Sequence, residues 1–241
     1  PPTGDQIQQF RASAQQTMAL ARQHDLLTMG AYGMVAEMAS WLVGISQLVM
    51  LTADAPDFLE ALLAVIERWH RERMALALEQ GVDLFVRRAW YENADFWSPP
   101  LFRRFVLPSL RRDVEMAHAA GAKLGYLMSA ASIPLLDLMI EAGVDVLLGI
   151  DPAQDRTMDL PKLKQRAAGR MCLWGGVCGY LTIETGAPDD VRREVRQAIS
   201  FLAPGGGFIL SPVTNVRADT PRAWANVDAL IAAWRSLRED T

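Results

Sequence analysis

Three helical stretches of this sequence end at a glycine and run, within a residue or two, into a short apolar segment. The glycines are Gly81, Gly121 and Gly143. Glycine ends a helix in the left-handed conformation at low cost, so a strand that starts directly afterwards implies a tight helix-to-strand loop. Repeated units of this kind build a parallel sheet, whose ligands bind at the carboxyl ends of the strands. The pattern therefore predicts an α/β fold and the rim where its chemistry lies.

Composition excludes several classes of protein. With 241 residues, 51% of them hydrophobic, the chain can bury one core, so we expect a single domain over residues 1–241. The net charge of −4 and the lack of a basic stripe argue against a nucleic-acid partner. The two cysteines do not form a disulfide framework. The apolar stretch 42–51 is shorter than the ~20 residues of a membrane span, and no secretory leader opens the chain, which predicts a cytoplasmic protein without a membrane partner.

Hydrophobic periodicity divides the chain into alternating strands and helices. The strands are predicted at 26–30, 82–88, 122–128, 144–150, 171–177 and 207–211. The clearest helices are predicted at 5–24, 132–142, 159–168, 188–202 and 221–238, and a further helix that begins near Ser98 contains Pro108 and should bend there. Since eight units close a (β/α)8 barrel of ~250 residues, about six predict an incomplete barrel of TIM type or an open sheet.

From about residue 54 onward, the order of short motifs resembles the uroporphyrinogen decarboxylase superfamily, which includes corrinoid-dependent methyltransferases. The matching segments include Asp54-Ala55-Pro56, Glu79-Gln80-Gly81-Val82-Asp83, Ser98-Pro99-Pro100-Leu101-Phe102, Glu141-Ala142-Gly143-Val144-Asp145, Trp174-Gly175-Gly176-Val177, Gly206-Gly207-Phe208-Ile209-Leu210-Ser211 and Asp219-Thr220-Pro221. The resemblance implies a (β/α)8 barrel of which this chain lacks the first strand–helix units. Those units carry the family's arginine-rich substrate-binding segment and an aspartate expected to orient pyrrole nitrogens.

The chain departs from the family where thiol-activating methyltransferases hold zinc. Those enzymes have His-x-Cys at one strand end and a further cysteine near the last strand. Here the first position is Tyr126-Leu127-Met128 and the second is Thr214-Asn215. Tyrosine, methionine and threonine do not replace imidazole and thiolate as zinc ligands. We therefore predict no metal site and no cofactor.

Two carboxylates follow predicted strands and are the candidate catalytic residues. Glu92 lies in an aromatic loop after strand 82–88, where desolvation could raise its pKa for general acid–base work; the alternative is a solvated loop carboxylate. Asp151 follows strand 144–150 and could serve the same chemistry or bind an amine. It could equally form an Asx turn before Pro152.

Five further residues are candidates for substrate binding. Arg88 and Arg217 lie at or beyond strand ends, where a guanidinium suits a carboxylate-rich ligand, although each could form a surface salt bridge instead. Tyr126 and Trp174 could wall a flat ligand or pack in the core, and Asn215 could offer its amide to a substrate or hold a turn.

The resemblance leaves three functions open. The first is a decarboxylase-like lyase of porphyrin biosynthesis, acting on a tetrapyrrole or similar carboxylate-rich ligand by acid-assisted, cofactor-independent chemistry. The second is a methyltransferase that works with a corrinoid protein without a thiol-activating zinc. The third is a non-catalytic binding module that keeps the fold. An uncovered sheet edge also makes a homodimer a reasonable expectation.

Overall fold

The computed structural model describes residues 3–238, over which helices and strands alternate. The helices are α1 Gly4–Gln23, α2 Ala36–Val43, α3 Ile45–Asp54, α4 Pro56–Leu78, α5 Pro99–Leu101, α6 Leu107–Ala119, α7 Leu136–Ala142, α8 Leu160–Ala167, α9 Pro188–Leu202 and α10 Pro221–Leu237. The strands are β1 Met29–Gly33, β2 Leu84–Arg88, β3 Lys123–Leu127, β4 Val146–Ile150, β5 Cys172–Cys178 and β6 Phe208–Val213. Short π-helical segments occupy Phe102–Val106 and Gly179–Glu184, and a 3-10 turn occupies Ile133–Leu135.

The six strands form one sheet in chain order from β1 to β6, and β1–β2, β4–β5 and β5–β6 are parallel pairs. The glycines that end the three predicted helices all have positive φ, between 78° and 87°. The predicted α/β fold with parallel strands is therefore confirmed. Because each strand is followed by a helix, residues 3–238 hold six βα units, where eight close a full barrel.

The chain divides into two compact units. The first consists of the described residues up to Tyr91 together with Pro100–Gly125, and the second consists of Glu92–Pro99 and the described residues from Tyr126 onward. The single domain predicted for residues 1–241 stays a prediction, and its first two and last three positions lie outside the described residues.

Most element boundaries follow local sequence signals, and one strand does not. Helix α9 matches the predicted range 188–202, and α1 begins at a capping box in which the Thr3 side chain and Gln6 satisfy each other's backbone N–H groups. The first strand was predicted at 26–30 but begins at Met29. The reason is Asp83, whose carboxylate accepts hydrogen bonds from the backbone N–H and hydroxyl of Thr28. These bonds hold the N–H of Thr28, while its carbonyl accepts the first bond of the ladder from the Leu84 N–H, so the strand begins at the next residue.

The helix predicted to bend at Pro108 changes geometry just before that residue. A π-helical segment, Phe102–Val106, precedes α6, with Pro108 in the first turn of α6. Proline cannot donate to the preceding turn, so a widened turn satisfies the backbone locally.

No single helix within residues 3–238 is long and apolar enough to cross a membrane. Helices α2 and α3 reach the required length and hydropathy only as a pair, and the chain turns by 105° between them.

The first unit contains a cluster of charged side chains without access to solvent. Arg87 of β2 places Nη1 2.9 Å from Asp113 Oδ2 of α6, and His70 of α4 places Nε2 3.1 Å from Asp113 Oδ1. Arg87 also donates to the hydroxyl of Ser109. One strand and two helices of this unit are thus tied together through a single carboxylate.

The core of the second unit lies under α9 and α10. Val177 of β5 and Ile183 pack with Val191 and Val195 on one face of α9. Acidic and basic residues such as Asp189 and Arg192 pair on its exposed face, so α9 is amphipathic with a 3.6-residue period. This packing fixes β5 and the π-helical segment after it, which carry part of the site described below.

Gly149 in β4 makes a testable contribution to stability. Its φ is +101°, and a Cβ there would lie 2.5 Å from the carbonyl oxygen of Met128, which is backbone and cannot swing away. We expect Gly149→Ala to lower the free energy of unfolding by about 2–3 kcal/mol, because backbone strain and overpacking act together. Urea denaturation measures the change.

Gly169 offers the matched control, since its φ is also positive at +69° but a Cβ there would meet open space. Gly169→Ala should cost only about 1 kcal/mol, the strain component alone. Equal losses at the two positions would show that the close approach of Met128 does not matter.

Candidate functional site

Within the second unit, the loops that follow three strands are joined by hydrogen bonds from backbone N–H groups. The Ala94 N–H donates to the carbonyl of Ala131, at 3.2 Å. The Ala131 N–H in turn donates to Asp155 Oδ2, at 2.9 Å. The segment after β2, the loop after β3 and the loop after β4 are therefore held together at the rim of the strands, where parallel α/β proteins carry their chemistry.

Glu92 and Tyr126, both candidates from the sequence, are in direct contact. Glu92 begins the segment of the second unit that follows β2, and Tyr126 is the fourth residue of β3. Both side chains are fully buried, and the Tyr126 hydroxyl donates to Glu92 Oε2 across 2.5 Å. A hydrogen bond between a phenol and a carboxyl group fixes the orientation of both side chains.

Asp151 follows β4 directly and is also fully buried. Its Oδ1 accepts a hydrogen bond from the Gln154 N–H at 3.0 Å, so the Asx turn considered from the sequence is present. Its Oδ2 is buried without a hydrogen-bond partner of good geometry among residues 3–238. Burial raises the pKa of Asp151, and the nearby charge of Asp155 adds to that increase, against the lowering effect of the Gln154 N–H and of the Cys178 thiol. A carboxyl group in this position can hold a proton to a higher pH than usual and donate it.

Cys178 and Glu194 complete this acidic cluster and were missed from the sequence as functional candidates. Cys178 ends β5, and burial raises the pKa of its thiol to about 11. Glu194 of α9 accepts hydrogen bonds from the Cys178 N–H at 3.2 Å and from the Thr182 hydroxyl at 2.6 Å. Burial raises the pKa of Glu194, and the Asp151 carboxylate contributes to the same effect. The position of Cys178 at the end of a predicted strand is the sequence signal that points to this cluster.

The raised pKa of Cys178 predicts slow chemistry at its sulfur. At pH 8 only a small fraction of the thiol is ionised, so alkylation by iodoacetamide should be roughly 100-fold or more slower than in the unfolded chain. Peptide mass spectrometry after timed labelling in buffer and in urea measures both rates. Cys172, which is only partly buried, serves as the internal comparison. Labelling of Cys178 at the same rate in both solvents would contradict the buried, protonated thiol.

Arg88 lies in the first unit, at the carboxyl end of β2, and its guanidinium is held on three sides. Its Nε lies 2.7 Å from Oε1 of the buried Glu37. The guanidinium carbon lies 3.9 Å from the ring centre of Trp90 and 5.0 Å from that of Trp41. Glu37 also accepts a hydrogen bond from the backbone N–H of Trp90. Arg88 therefore forms the predicted salt bridge and stacks on tryptophan rings at the same time, and its side chain is 21% exposed.

The remaining three candidates occupy different environments. Trp174 is partly buried and is the third residue of the seven in β5, in register with Leu148 and Ile209, so it lies away from the carboxyl end of that strand. The predicted strand 171–177 is shifted by one residue because pairing continues to Cys178. Asn215 and Arg217 are exposed in the loop between β6 and α10. Arg217 borders an open cleft of about 280 Å³.

The part of the chain that the structure describes contains no group of three or more His, Cys, Asp and Glu side chains placed to hold a metal ion. At the positions compared with the zinc-binding relatives, Tyr126 donates to Glu92, and Met128 is fully buried.

Comparison with known proteins gives a family and a set of fold relatives. The family model described as Uroporphyrinogen decarboxylase (URO-D) matches residues 4–237. A uroporphyrinogen decarboxylase from Ralstonia pickettii (strain 12J) is 33% identical over 110 residues, which are 44% of this chain and 28% of that protein. The chain thus matches less than a third of the length of this curated relative.

Two solved structures share the fold at low sequence identity. A methyltransferase from Methanosarcina mazei superimposes with a TM-score of 0.75 at 21% identity, over 93% of this chain and 64% of the other. A D-psicose 3-epimerase from Clostridium cellulolyticum H10 gives a TM-score of 0.54 at 12% identity, over 99% of this chain and 84% of the other. At these identities, the likeness concerns the fold alone.

Proposed function

We propose, for a chain that belongs to the uroporphyrinogen decarboxylase family, an acid-assisted decarboxylation of a carboxylate-rich substrate of the tetrapyrrole type. The observation that carries the proposal is Asp151, a fully buried carboxyl at the end of β4 whose pKa is raised by burial and whose Oδ2 lacks a partner of good geometry within residues 3–238. Burying such an atom without a hydrogen bond costs free energy, so a catalytic use explains why it is there.

In the proposed reaction, Asp151 supplies a proton to a carbon of an electron-rich pyrrole. The protonated ring becomes an electron sink, and the bond between a side-chain carbon and its carboxylate breaks. Carbon dioxide leaves, the electron pair passes to the ring, a proton adds to the side-chain carbon in place of the lost carboxyl group, and the ring carbon releases the proton it first received. The net change consumes one proton and releases one CO2, with no oxidant or reductant.

The Tyr126–Glu92 pair supports this chemistry as a second proton-handling element in the same unit. A carboxyl and a phenol joined by a 2.5 Å hydrogen bond can shift a proton between them with little movement. We propose that this pair orients the substrate ring through its polar atoms and takes up the proton that the ring returns. Glu92→Gln should therefore lower turnover, while Tyr126→Phe should lower it less, because the carboxyl remains.

A methyl transfer to a corrinoid protein is the second candidate, since the Methanosarcina mazei relative with the same fold is a methyltransferase. Such a reaction also needs an acid, to protonate the group from which the methyl departs, and Asp151 could supply it. The environment of Tyr126 and Met128 does not support thiol activation by zinc at this place.

Turnover assays separate these candidates. Uroporphyrinogen, prepared by chemical reduction of uroporphyrin, is incubated with the protein, and product masses are followed for successive losses of CO2. In parallel, cob(I)alamin and small methyl donors are monitored for the absorbance change of methyl transfer. Loss of CO2 supports the first proposal. Methyl transfer alone supports the second and overturns the first. If neither activity is detected and neither uroporphyrin nor cobalamin gives an absorbance shift, both catalytic proposals are refuted and the non-catalytic module is supported.

A further inference from the structure

A cleft of about 280 Å³ lies where the loop after β6 meets the first turns of α10, and we propose that it binds a single flat ring bearing a carboxylate. The proposal rests on the function above only in naming the source of this ring. A carboxylate-rich tetrapyrrole has a pyrrole ring with carboxylate side chains at each corner. The residues that line the cleft include Arg217, Trp224, Val216 and Val227.

Arg217 supplies the charge that would recognise the carboxylate. Its backbone N–H donates to Glu184 Oε1 at 2.5 Å, which anchors the loop to the π-helical segment after β5. Its side chain is exposed and makes no ion pair with any residue between 3 and 238. The backbone is therefore fixed while the guanidinium keeps its donors for a ligand. A guanidinium binds a carboxylate through two parallel hydrogen bonds.

Trp224 supplies a wall of fixed orientation. Its indole Nε1 donates to Asp219 Oδ1 at 2.8 Å, although the ring itself is 60% exposed. An exposed aromatic ring that is held in one orientation loses little entropy when a second ring stacks on it. Val216 and Val227 add apolar surface to the same cleft. The cleft thus combines an apolar face with one cation, the pairing that an aromatic carboxylate requires.

The size of the cleft and its charges limit the ligand. Pockets for drug-sized ligands occupy about 300–1,000 Å³, so this cleft suits one ring and not a whole macrocycle. Asp219 and Glu184 are acidic neighbours that weaken the attraction of a second negative charge. One oxygen of Asp219 is occupied by the indole N–H, and one oxygen of Glu184 by the backbone of Arg217. The cleft therefore offers its single cation to one carboxylate at a time.

Binding of small probes tests the proposal without any turnover. Pyrrole-2-carboxylate and its neutral analogue pyrrole-2-carboxamide are titrated into the protein, and chemical-shift changes of the indole N–H signals are followed by NMR. The carboxylate should bind with a Kd in the millimolar range, and the amide about 10-fold or more weaker, because it lacks the charge-assisted hydrogen bonds. Arg217→Gln should weaken carboxylate binding by about the same factor.

Arg222 provides the matched control, since it is an exposed arginine of the first turn of α10 that does not line the cleft. Arg222→Gln should leave the Kd unchanged. Trp224→Leu should remove part of the affinity for both probes, as expected for a wall and not for a charge. Equal affinity for the two probes, an unaltered Kd in Arg217→Gln, or no binding of the carboxylate overturns the proposal.

The outcome is independent of the decarboxylase assay. Probe binding without loss of CO2 from uroporphyrinogen would refute the proposed reaction and keep the cleft as a carboxylate site. Loss of CO2 without probe binding would refute the cleft alone.

Discussion

Replacing Asp113 with asparagine is expected to lower the free energy of unfolding by about 3–5 kcal/mol, the largest loss of stability we predict for this chain. The substitution keeps the shape of the side chain and removes its charge. Arg87, which is fully buried and 2.9 Å from Asp113 Oδ2, would then hold a positive charge without its counterion. Removing one partner of a buried pair is costly for this reason, even where the intact pair adds little net stability.

The same cluster predicts how stability depends on pH. Burial alone raises the pKa of Asp113, but the contacts with His70 and Arg87 outweigh that effect and leave the pKa below its usual range. A carboxyl group with a lowered pKa in the native state contributes stability above its unfolded pKa, near 3.9. That contribution disappears as the pH falls through the native pKa. The wild-type protein should therefore lose stability in acid more steeply than Asp113→Asn.

Urea denaturation at pH 7 and at lower pH values measures both effects. Glu115 is the control, because it lies on the same helix as Asp113 and is exposed. Glu115→Gln should change the free energy of unfolding by about 0.5 kcal/mol or less. If Asp113→Asn lost less than about 1 kcal/mol, the cluster would not hold β2, α4 and α6 together as the geometry implies.

Local sequence signals predicted the fold because they act within a few residues. Glycines at helix ends, prolines in first turns and apolar periodicity located all six strands and matched α9 residue by residue. The start of β1 was placed three residues early, because the bonds from Thr28 to Asp83 join positions 55 residues apart. The π-helical segment Gly179–Glu184 was also missed, since a π turn uses the same residues as an α turn and differs only in how its backbone pairs.

The positions of the site residues near the ends of strands could be predicted from the sequence, but their hydrogen-bond and ion-pair partners could not. Glu92 was expected among aromatics, yet its hydrogen bond to Tyr126 joins positions 34 residues apart. His70 lies on a helix, and only the fold brings it to Asp113. Glu194 lies on α9, and its carboxyl is turned to the end of β5. Long-range pairs of this kind leave no mark on local periodicity.

Asp113 and Asp151, two of the buried acidic residues, differ in the charges around them and therefore in the role we assign to each. Both oxygens of Asp113 lie against basic side chains, and its pKa is lowered. Asp151 meets acidic groups and a thiol, and burial raises its pKa. A charge that is fully compensated holds elements together, whereas a proton kept on an uncompensated carboxyl is ready to be donated. We therefore assign Asp113 to stability and Asp151 to the proposed reaction.

Asp151→Asn is accordingly expected to reduce turnover of uroporphyrinogen by about 100- to 10,000-fold, the usual contribution of a general acid. The amide cannot donate a proton of comparable acidity, but its oxygen can still accept the hydrogen bond from Gln154. In the wild-type protein the rate should fall as the pH rises through the raised pKa of Asp151, because the acid must be protonated to act. The residual rate of the variant should lack that limb of the pH profile. Product masses over time, measured at several pH values, give both results.

The free energy of unfolding of Asp151→Asn should not fall with its turnover. Because the native pKa of Asp151 is raised, the wild-type fold loses stability as the pH rises from the unfolded value towards the native one, and the neutral asparagine avoids this loss. Asp151→Asn should thus be at least as stable as the wild type at pH 7, which excludes misfolding as the cause of its inactivity. Asp159→Asn is the matched control, since this partly buried residue, whose side chain is 44% exposed, caps α8 and asparagine caps helices equally well. Wild-type turnover in Asp151→Asn, or an equal loss of turnover in Asp159→Asn, would refute the assignment. Both variants should stay folded, and only the loss of a catalytic carboxyl group should lower turnover.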